Sequence, residues 1–110
     1  MSKIAMISQP MNGKSKVEIE AARNRATKAL ESMGYEILPT WFNTDFNNED
    51  YLAKQMTDGV RNIPIHFLSR SIEKMSRCDL VYFCLGWQNA RGCKIEQQIA
   101  EKYDIETMYE

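Results

Sequence analysis

The sequence predicts one small α/β domain: a parallel sheet of about four strands, in the order 2-1-3-4, with helices on both faces. Three observations lead to this prediction. Short apolar segments alternate along the chain with segments of helical periodicity. The segment over residues 80–85 is apolar without alternation, as in a strand that is covered on both faces. The length of 110 residues suits one hydrophobic core rather than two, so residues 1–110 are expected to form one domain.

Three elements are predicted in the first third of the chain. Residues 4–7 are an apolar run followed by turn-forming residues, which indicates a buried strand and a loop. Ser15 and Glu18 have the spacing of a capping box, in which each side chain accepts a hydrogen bond from the other residue's backbone N–H, so a helix begins there. Gly34 ends this helix, and residues 35–38 form the second strand.

The remaining elements follow a stretch without a dominant period. Residues 40–62 are predicted as a long loop with about one helical turn. Pro64 suits the first turn of a helix whose apolar face carries Leu68, Ile72 and Met75. Right-handed crossovers then favour the strand order of a small Rossmann- or flavodoxin-like sheet. The last three elements are a strand, a helix and a strand, over residues 80–85, 90–103 and 105–108.

The composition argues against several classes of function. Lys and Arg total 14 against 15 Asp and Glu, and this net charge of -1 gives no electrostatic support for binding nucleic acid or a membrane. Three cysteines without C-x-x-C spacing and a single histidine suggest neither a disulfide framework nor a metal site. No apolar stretch approaches the roughly 20 residues of a membrane span, and the start does not resemble a signal peptide. We therefore expect a cytoplasmic protein whose partner is a small molecule or another protein.

Ligand binding is expected at the edge of the sheet where the strand order reverses. In open parallel sheets, ligands bind beyond the carboxyl ends of the strands at this switch point, here between the first and third strands. Two loops follow these strands, and each leads into a helix whose free N–H groups can hold a phosphate, a carboxylate or a sugar hydroxyl. The alternative that both loops are simple turns stays open. The candidate ligand-binding residues are Ser8, Gln9, Pro10, Met11, Asn12, Gly13, Gly86, Trp87, Asn89, Arg91 and Gly92.

Two common nucleotide-binding motifs are absent. The segment Gly13-Lys14-Ser15 matches the end of a P-loop, but Ser8 stands where that motif requires its first glycine. The G-x-G-x-x-G fingerprint of dinucleotide binding does not occur. The sequence therefore predicts neither an NTPase nor an NAD-dependent enzyme, and it predicts no cofactor.

Glu96 is the candidate catalytic residue. On the last predicted helix it shares a stripe with Gly92, Ile99 and Tyr103, and such a stripe faces the sheet in an amphipathic helix. A position in the first turns of a helix favours the ionised carboxylate, as a nucleophile requires. The alternative is a structural glutamate that pairs with Arg91 or with another basic residue.

A family resemblance rests on the same part of the sequence. Residues 3–13, KIAMISQPMNG, are followed by Asp79-Leu80-Val81 and by residues 86–96, GWQNARGCKIE. These motifs resemble a small bacterial and phage family that is related to the nucleoside 2-deoxyribosyltransferases, and the resemblance to the small family covers nearly the whole chain. It implies a Rossmann-like sheet with a site for a nucleoside, a nucleotide or a related molecule.

The resemblance also implies a reaction. In the transferases and the related deoxynucleotide N-hydrolases, the glutamate of the last motif attacks the anomeric carbon and forms a glycosyl-enzyme, which gives Glu96 the role of nucleophile. The chain departs from those enzymes at two positions, because Ala5 and Ser71 align with a tyrosine and an aspartate. The acid that assists the leaving base is therefore not evident. Asp79, or a residue of a neighbouring subunit, is the candidate substitute.

Two functional hypotheses follow. The first is an N-glycosidase or deoxyribosyltransferase-like enzyme for a nucleoside or nucleotide, with Glu96 as nucleophile and the loop over residues 8–13 holding the sugar or phosphate. The second is a module of the same fold that binds a nucleotide-derived ligand without turnover, and the missing acid favours it. A homo-oligomer is also expected, because the segment over residues 41–51 contains four aromatic residues that a small domain buries with difficulty alone.

Overall fold

Four parallel strands form one sheet in the computed structural model, which describes residues 3–40, 45 and 48–110. The strands are β1 Lys3–Ser8, β2 Tyr35–Leu38, β3 Leu80–Phe83 and β4 Glu106–Tyr109. Their order is β2-β1-β3-β4, as the sequence predicts. Within the described ranges, the helices are α1 Lys16–Ser32, α2 Glu49–Thr57, α3 Ile63–Met75 and α4 Arg91–Lys102. None of these helices of the described ranges has both the length and the apolar character needed to cross a membrane.

Helices cover both faces of the sheet, which confirms the predicted architecture. α1 packs on one face, against Ala5 and Ile7. α3 and α4 pack on the other, against Met6 and Val81. β3 is two residues shorter than predicted, and all four of its residues are buried, as expected for a central strand of a parallel sheet. Because side chains alternate along β1, Ile7 faces α1 whereas Ser8 faces α3 and α4.

The predicted capping box forms at the start of α1. The Glu18 backbone N–H donates to Ser15 Oγ at 3.1 Å, and the Ser15 N–H donates to Glu18 Oε1 at 3.2 Å. These hydrogen bonds lower the pKa of the Glu18 carboxyl. Gly34 follows the helix with a φ of +90°. Both predicted ends of α1 are therefore confirmed.

α2 forms where the sequence analysis predicts a loop. Asn48 caps it by accepting a hydrogen bond from the Tyr51 backbone N–H at 3.0 Å. None of the described side chains of α2 is fully buried, and only Tyr51, Leu52 and Gln55 are partly buried, so its apolar face is a weak signal in the sequence and the prediction of a loop is wrong. Residues 41–44 and 46–47 lie outside the described part of the chain, and they include three of the four aromatic residues used to predict an oligomer.

Two helices bury faces that differ from the predicted ones. In α3, Ile72 is 36% exposed, and Phe67 is buried together with Met75. In α4, Tyr103 is 76% exposed rather than facing the sheet. The two differences have separate causes: in α3 Phe67 takes an inward position in place of Ile72, whereas Tyr103 follows the last residue of α4, Lys102, as its C-cap. The buried residues of α4 are Cys93, Glu96 and Ala100.

Asp79 links the amino ends of two neighbouring strands. Its backbone N–H donates to Ile4 O at 2.7 Å, and its Oδ2 accepts a hydrogen bond from the Ile4 N–H at 2.8 Å. The other end of β1, at Ser8, lies four residues further on, roughly 13 Å away at the rise of a strand. Asp79 is therefore at the wrong edge of the sheet to act as the auxiliary acid, and that prediction is wrong.

Candidate functional site

The carboxyl ends of β1 and β3 form the centre of the candidate site. Ser8 pairs with Phe83 in the parallel register, and from there the chain leads to α1 on one face of the sheet and to α4 on the other. This divergence is the switch point at which open parallel sheets bind ligands. The two following loops meet there, as predicted. A Cβ at Gly86, whose φ is +90°, would lie 3.7 Å from Pro10 Cγ.

Glu96 is a buried carboxylate at this switch point. It lies on the buried face of α4 and is 7% exposed. The Ser8 hydroxyl donates a buried hydrogen bond of 2.7 Å to Glu96 Oε1. Glu96 forms no ion pair with any lysine, arginine or histidine of the described residues. The alternative of a structural pair with Arg91 is therefore wrong, and hydroxyl groups stabilise the carboxylate instead.

Burial controls the protonation of Glu96. Removal from water raises the pKa of this carboxyl, and hydrogen bonds from the hydroxyls of Ser8 and Ser71 oppose the rise. The expectation that Glu96 is held in its ionised form is wrong, because the loss of hydration on burial is the largest influence on its pKa and raises it. Ser71 thus lies beside Glu96.

Cys93 is another buried neighbour of Glu96. It is 4% exposed and lies on the same face of α4. The pKa of its thiol is raised to about 11, mainly by burial. The charge of Glu96 also raises this pKa, whereas a hydrogen bond with the Ser8 hydroxyl lowers it. At neutral pH the thiol is therefore protonated and is a weak nucleophile. Among the described residues, no three His, Cys, Asp or Glu side chains converge as a metal ion would require.

Gln9 belongs to a second polar cluster, which the sequence analysis does not identify. Its Nε2 donates to Ile19 O at 3.0 Å, and its Oε1 accepts a hydrogen bond of 3.1 Å from Arg23. Arg23 also donates to Thr40 Oγ1 at 3.4 Å, and this threonine donates to Ile7 O at 3.1 Å. Position 23 lies at helical spacing from the buried residues of α1, and this spacing is the signal that indicates an inward-facing arginine.

The rest of the first loop is accessible to a ligand. Met11, Asn12 and Gly13 are exposed, and Pro10 forms the contact with Gly86. Gly13 has a φ of +77°, and no atom would lie within 4 Å of a Cβ there. The backbone conformation, rather than a close approach, therefore requires glycine at this position.

The turn before α4 contributes an aromatic cluster. The Trp87 ring centroid lies 5.5 Å from that of Phe83 and 5.3 Å from that of Tyr109. Trp87 is partly buried, and these ring contacts pack it against the core. The other predicted ligand contacts of this turn lie nearer the surface: Asn89 and Arg91 are exposed, and Gly86 and Gly92 are partly buried.

Two surface grooves lie near Glu96 but do not contain it. A groove of about 260 Å³ lies between the first loop and α1, and one of about 660 Å³ lies between α4 and β4. The smaller groove is lined by Pro10, Lys14, Glu18, Ala21, Ala22, Arg25 and Leu85.

Comparison with known proteins places the chain in a family. The model of the family described as Domain of unknown function (DUF4406) matches residues 3–109. The chain belongs to this family. The DUF4406 match includes every residue of the candidate site, from Ser8 to Glu96. No curated protein and no solved structure gives a significant match. The relation to nucleoside 2-deoxyribosyltransferases stays a prediction.

Glu96→Gln is expected to stabilise the protein at neutral pH and to have little effect near pH 4. With a raised folded-state pKa, the folded protein binds more protons than the unfolded chain. Its stability therefore falls as the pH rises from the unfolded pKa, about 4.3, through the folded pKa. Glutamine does not titrate, so its folding stability does not fall in this way. Above the folded pKa of Glu96, the free energies of unfolding of the two proteins therefore differ by about 1.4 kcal/mol for each unit of pKa shift.

Thermal melting between pH 4 and pH 8 measures this difference. Glu101→Gln, an exposed position of the same helix, is the matched control and should show no such pH-dependent gain. If Glu96→Gln lowers the melting temperature at pH 8, the interactions of the carboxylate outweigh its loss of hydration, and the raised pKa is contradicted.

Proposed function

We propose that this domain is an enzyme that cleaves or transfers the N-glycosidic bond of a nucleoside or nucleotide, with Glu96 as the nucleophile. The observation that carries the proposal is the buried Glu96 carboxylate at the switch point, with the Ser8 hydroxyl rather than a cation as its partner. A buried ionisable group with a shifted pKa at the ligand-binding edge of an open sheet is a functional candidate. The resemblance to the transferases supplies the reaction type.

The proposed reaction has two steps and requires no cofactor. The ionised carboxylate attacks the anomeric carbon, and a C–O bond forms as the C–N bond to the base breaks. The electron pair of that bond moves to the base nitrogen, which takes up a proton. Water in a hydrolase, or a second base in a transferase, then attacks the same carbon and releases the carboxylate. Two displacements at one carbon retain its configuration.

The environment of Glu96 suits a carboxylate nucleophile whose ionisation depends on pH. A carboxylate with few hydrogen-bond donors and a raised pKa is more basic than one in water, and basicity favours attack. Ser8 and Ser71 stabilise the ionised form and limit the rise of the pKa. The rate of base release should therefore increase as the pH rises through the pKa of Glu96.

The exposed residues of both loops are proposed to contact the substrate. Met11, Asn12 and Gly13 lie on one side of the switch point, and Asn89 and Arg91 lie on the other. Their exposed side chains and backbone are available for contacts to a sugar, a phosphate or a base. Ser8 is assigned a different role, because its hydroxyl is already bound to Glu96.

A second candidate function is a non-catalytic module that binds a nucleotide-derived ligand. One observation favours it: no second carboxylate of the described residues lies close enough to Glu96 to contribute to its pKa shift. Ala5 is fully buried, Ser71 offers only a hydroxyl, and Asp79 lies at the opposite edge of the sheet. A leaving base would then have to take its proton from solvent or from a neighbouring subunit.

Glu96→Gln separates the two functions. The protein is incubated with a panel of nucleosides and their 5′-monophosphates, free base is measured by chromatography, and binding is measured by thermal shift. An enzyme should lose base release by roughly 10⁴-fold, as in well-studied covalent catalysts, because the amide keeps the shape but not the nucleophilicity. Ligand-induced stabilisation should persist.

Glu101→Gln is the control for this assay, because it removes the same charge from an exposed position of α4. Base release by Glu96→Gln near the rate of the unmodified protein would reject the nucleophile. Stabilisation by a ligand without base release from any compound of the panel would favour the binding module.

We further propose that the domain acts in the cytoplasm as a homo-oligomer, with a small molecule rather than nucleic acid as its partner. The oligomer prediction depends on the aromatic residues of the segment 41–51, of which Tyr51 is within the described residues and is partly buried against α3. Light scattering at micromolar concentration should give a mass of at least two chains. A monomeric mass would reject the prediction.

A further inference from the structure

Arg23 is a partly buried cation close to the carboxyl end of β1. Its guanidinium donates to Gln9 Oε1 and to Thr40 Oγ1, and both acceptors are neutral. It forms no ion pair with a carboxylate of the described residues. Desolvation lowers the pKa of Arg23, but an arginine remains charged at neutral pH. The protein therefore holds an uncompensated positive charge beside the ligand loop.

The two acceptors fix this charge in place. Gln9 is 8% exposed and is anchored through Nε2 to the backbone of α1 at Ile19. Thr40 is 7% exposed and is anchored to the backbone of β1 at Ile7. The guanidinium thus rests against two buried polar side chains that cannot move without breaking their own hydrogen bonds. Such preorganisation reduces the entropy cost of binding a ligand.

The hydrogen-bond capacity of Arg23 is only partly used. A guanidinium carries five N–H donors, and two of its nitrogens each donate one bond to an acceptor of the described chain. Burying a charge without a counter-ion costs free energy, and an apolar side chain of similar size would fill the space at lower cost. Arginine is instead the side chain best matched to carboxylate and phosphate oxygens, which it binds through two parallel hydrogen bonds.

Arg23 and Glu96 are hydrogen-bonded to two consecutive residues of the chain. Ser8 binds Glu96 and the next residue, Gln9, binds Arg23, so consecutive residues, about 3.8 Å apart at Cα, hold a cation and a carboxylate. α1 provides the cation from one face of the sheet, and α4 provides the carboxylate from the other. The two groups therefore approach the carboxyl end of β1 from opposite faces of the sheet.

We propose that Arg23 binds an oxyanion group of the ligand, a phosphate or a carboxylate. The inference deepens the proposed function and rests on it for one point: if the ligand is a glycoside of a base, it is a nucleotide rather than a nucleoside. The binding site itself does not depend on catalysis, since it requires only that an anion reaches the free N–H groups of Arg23.

Three probes test the site: inorganic phosphate, the 2′-deoxynucleoside 5′-monophosphates and the corresponding nucleosides. Calorimetry should show at least one monophosphate binding about tenfold or more tightly than its nucleoside, as expected for charge-assisted hydrogen bonds. Arg23→Met should remove this advantage. Lys28→Gln removes a positive charge from an exposed position of the same helix and should keep the tighter binding of the monophosphate.

The melting temperature distinguishes a binding role from a structural one. If Arg23 serves the ligand, Arg23→Met should melt at the same temperature as the unmodified protein or higher, because it relieves the uncompensated charge. If Arg23→Met does not fold, Arg23→Lys replaces it as the test variant. Lysine keeps the positive charge but lacks the planar guanidinium, so the preference for the monophosphate over the nucleoside should decrease. An unchanged preference for monophosphates in either folded variant would overturn the proposal.

The guanidinium resonances of Arg23 provide a readout that does not involve catalysis. Inorganic phosphate should shift them in the nitrogen NMR spectrum of the unmodified protein, in a saturable manner. Absence of a shift at tens of millimolar phosphate, together with equal affinity for nucleosides and monophosphates, would overturn the anion site. A saturable shift without base release from any nucleotide would leave this site standing and reject the proposed function.

Discussion

The buried hydrogen bond between Ser8 and Glu96 is the constraint on which the rest of the site depends. It joins the last residue of β1 to a residue of α4, 88 positions further along the chain. A carboxylate removed from water without a cation is costly, so the packing of α4 on the sheet must compensate for it. The same burial raises the pKa of Glu96 and protects it from competing solvent contacts. Stability is thus lower than an apolar residue would allow, as is common at functional sites.

Two consecutive residues at the end of β1 organise both sides of the sheet. The Ser8 side chain turns toward α4 and the Gln9 side chain toward α1, which follows from the alternation of side chains along an extended chain. Both are candidate ligand-binding residues, and that role stays a prediction. In the structure their side chains hydrogen-bond Glu96 and Arg23.

The sequence predicted those features that depend on local patterns. The capping box of Ser15, the strand order and the meeting of the two loops follow from spacing, turn residues and the rules of parallel sheets. The spacing of α4 also predicted that Glu96 faces inward. Its partner and its protonation were not predictable, because both depend on residues distant in the chain. α2 was missed because none of its described side chains is fully buried, so its partly buried face leaves a weak pattern in the sequence.

A covalent glycosyl-enzyme at Glu96 provides the most direct test of the proposed chemistry. The protein is mixed with nucleosides and 5′-monophosphates, quenched in acid at successive times, and examined by intact-protein and peptide mass spectrometry. We expect a mass increase equal to the bound sugar or sugar phosphate, located on the peptide that contains Glu96 and absent from Glu96→Gln. Base release accompanied by an adduct on another residue, or by no adduct at any quench time, would contradict a nucleophilic Glu96.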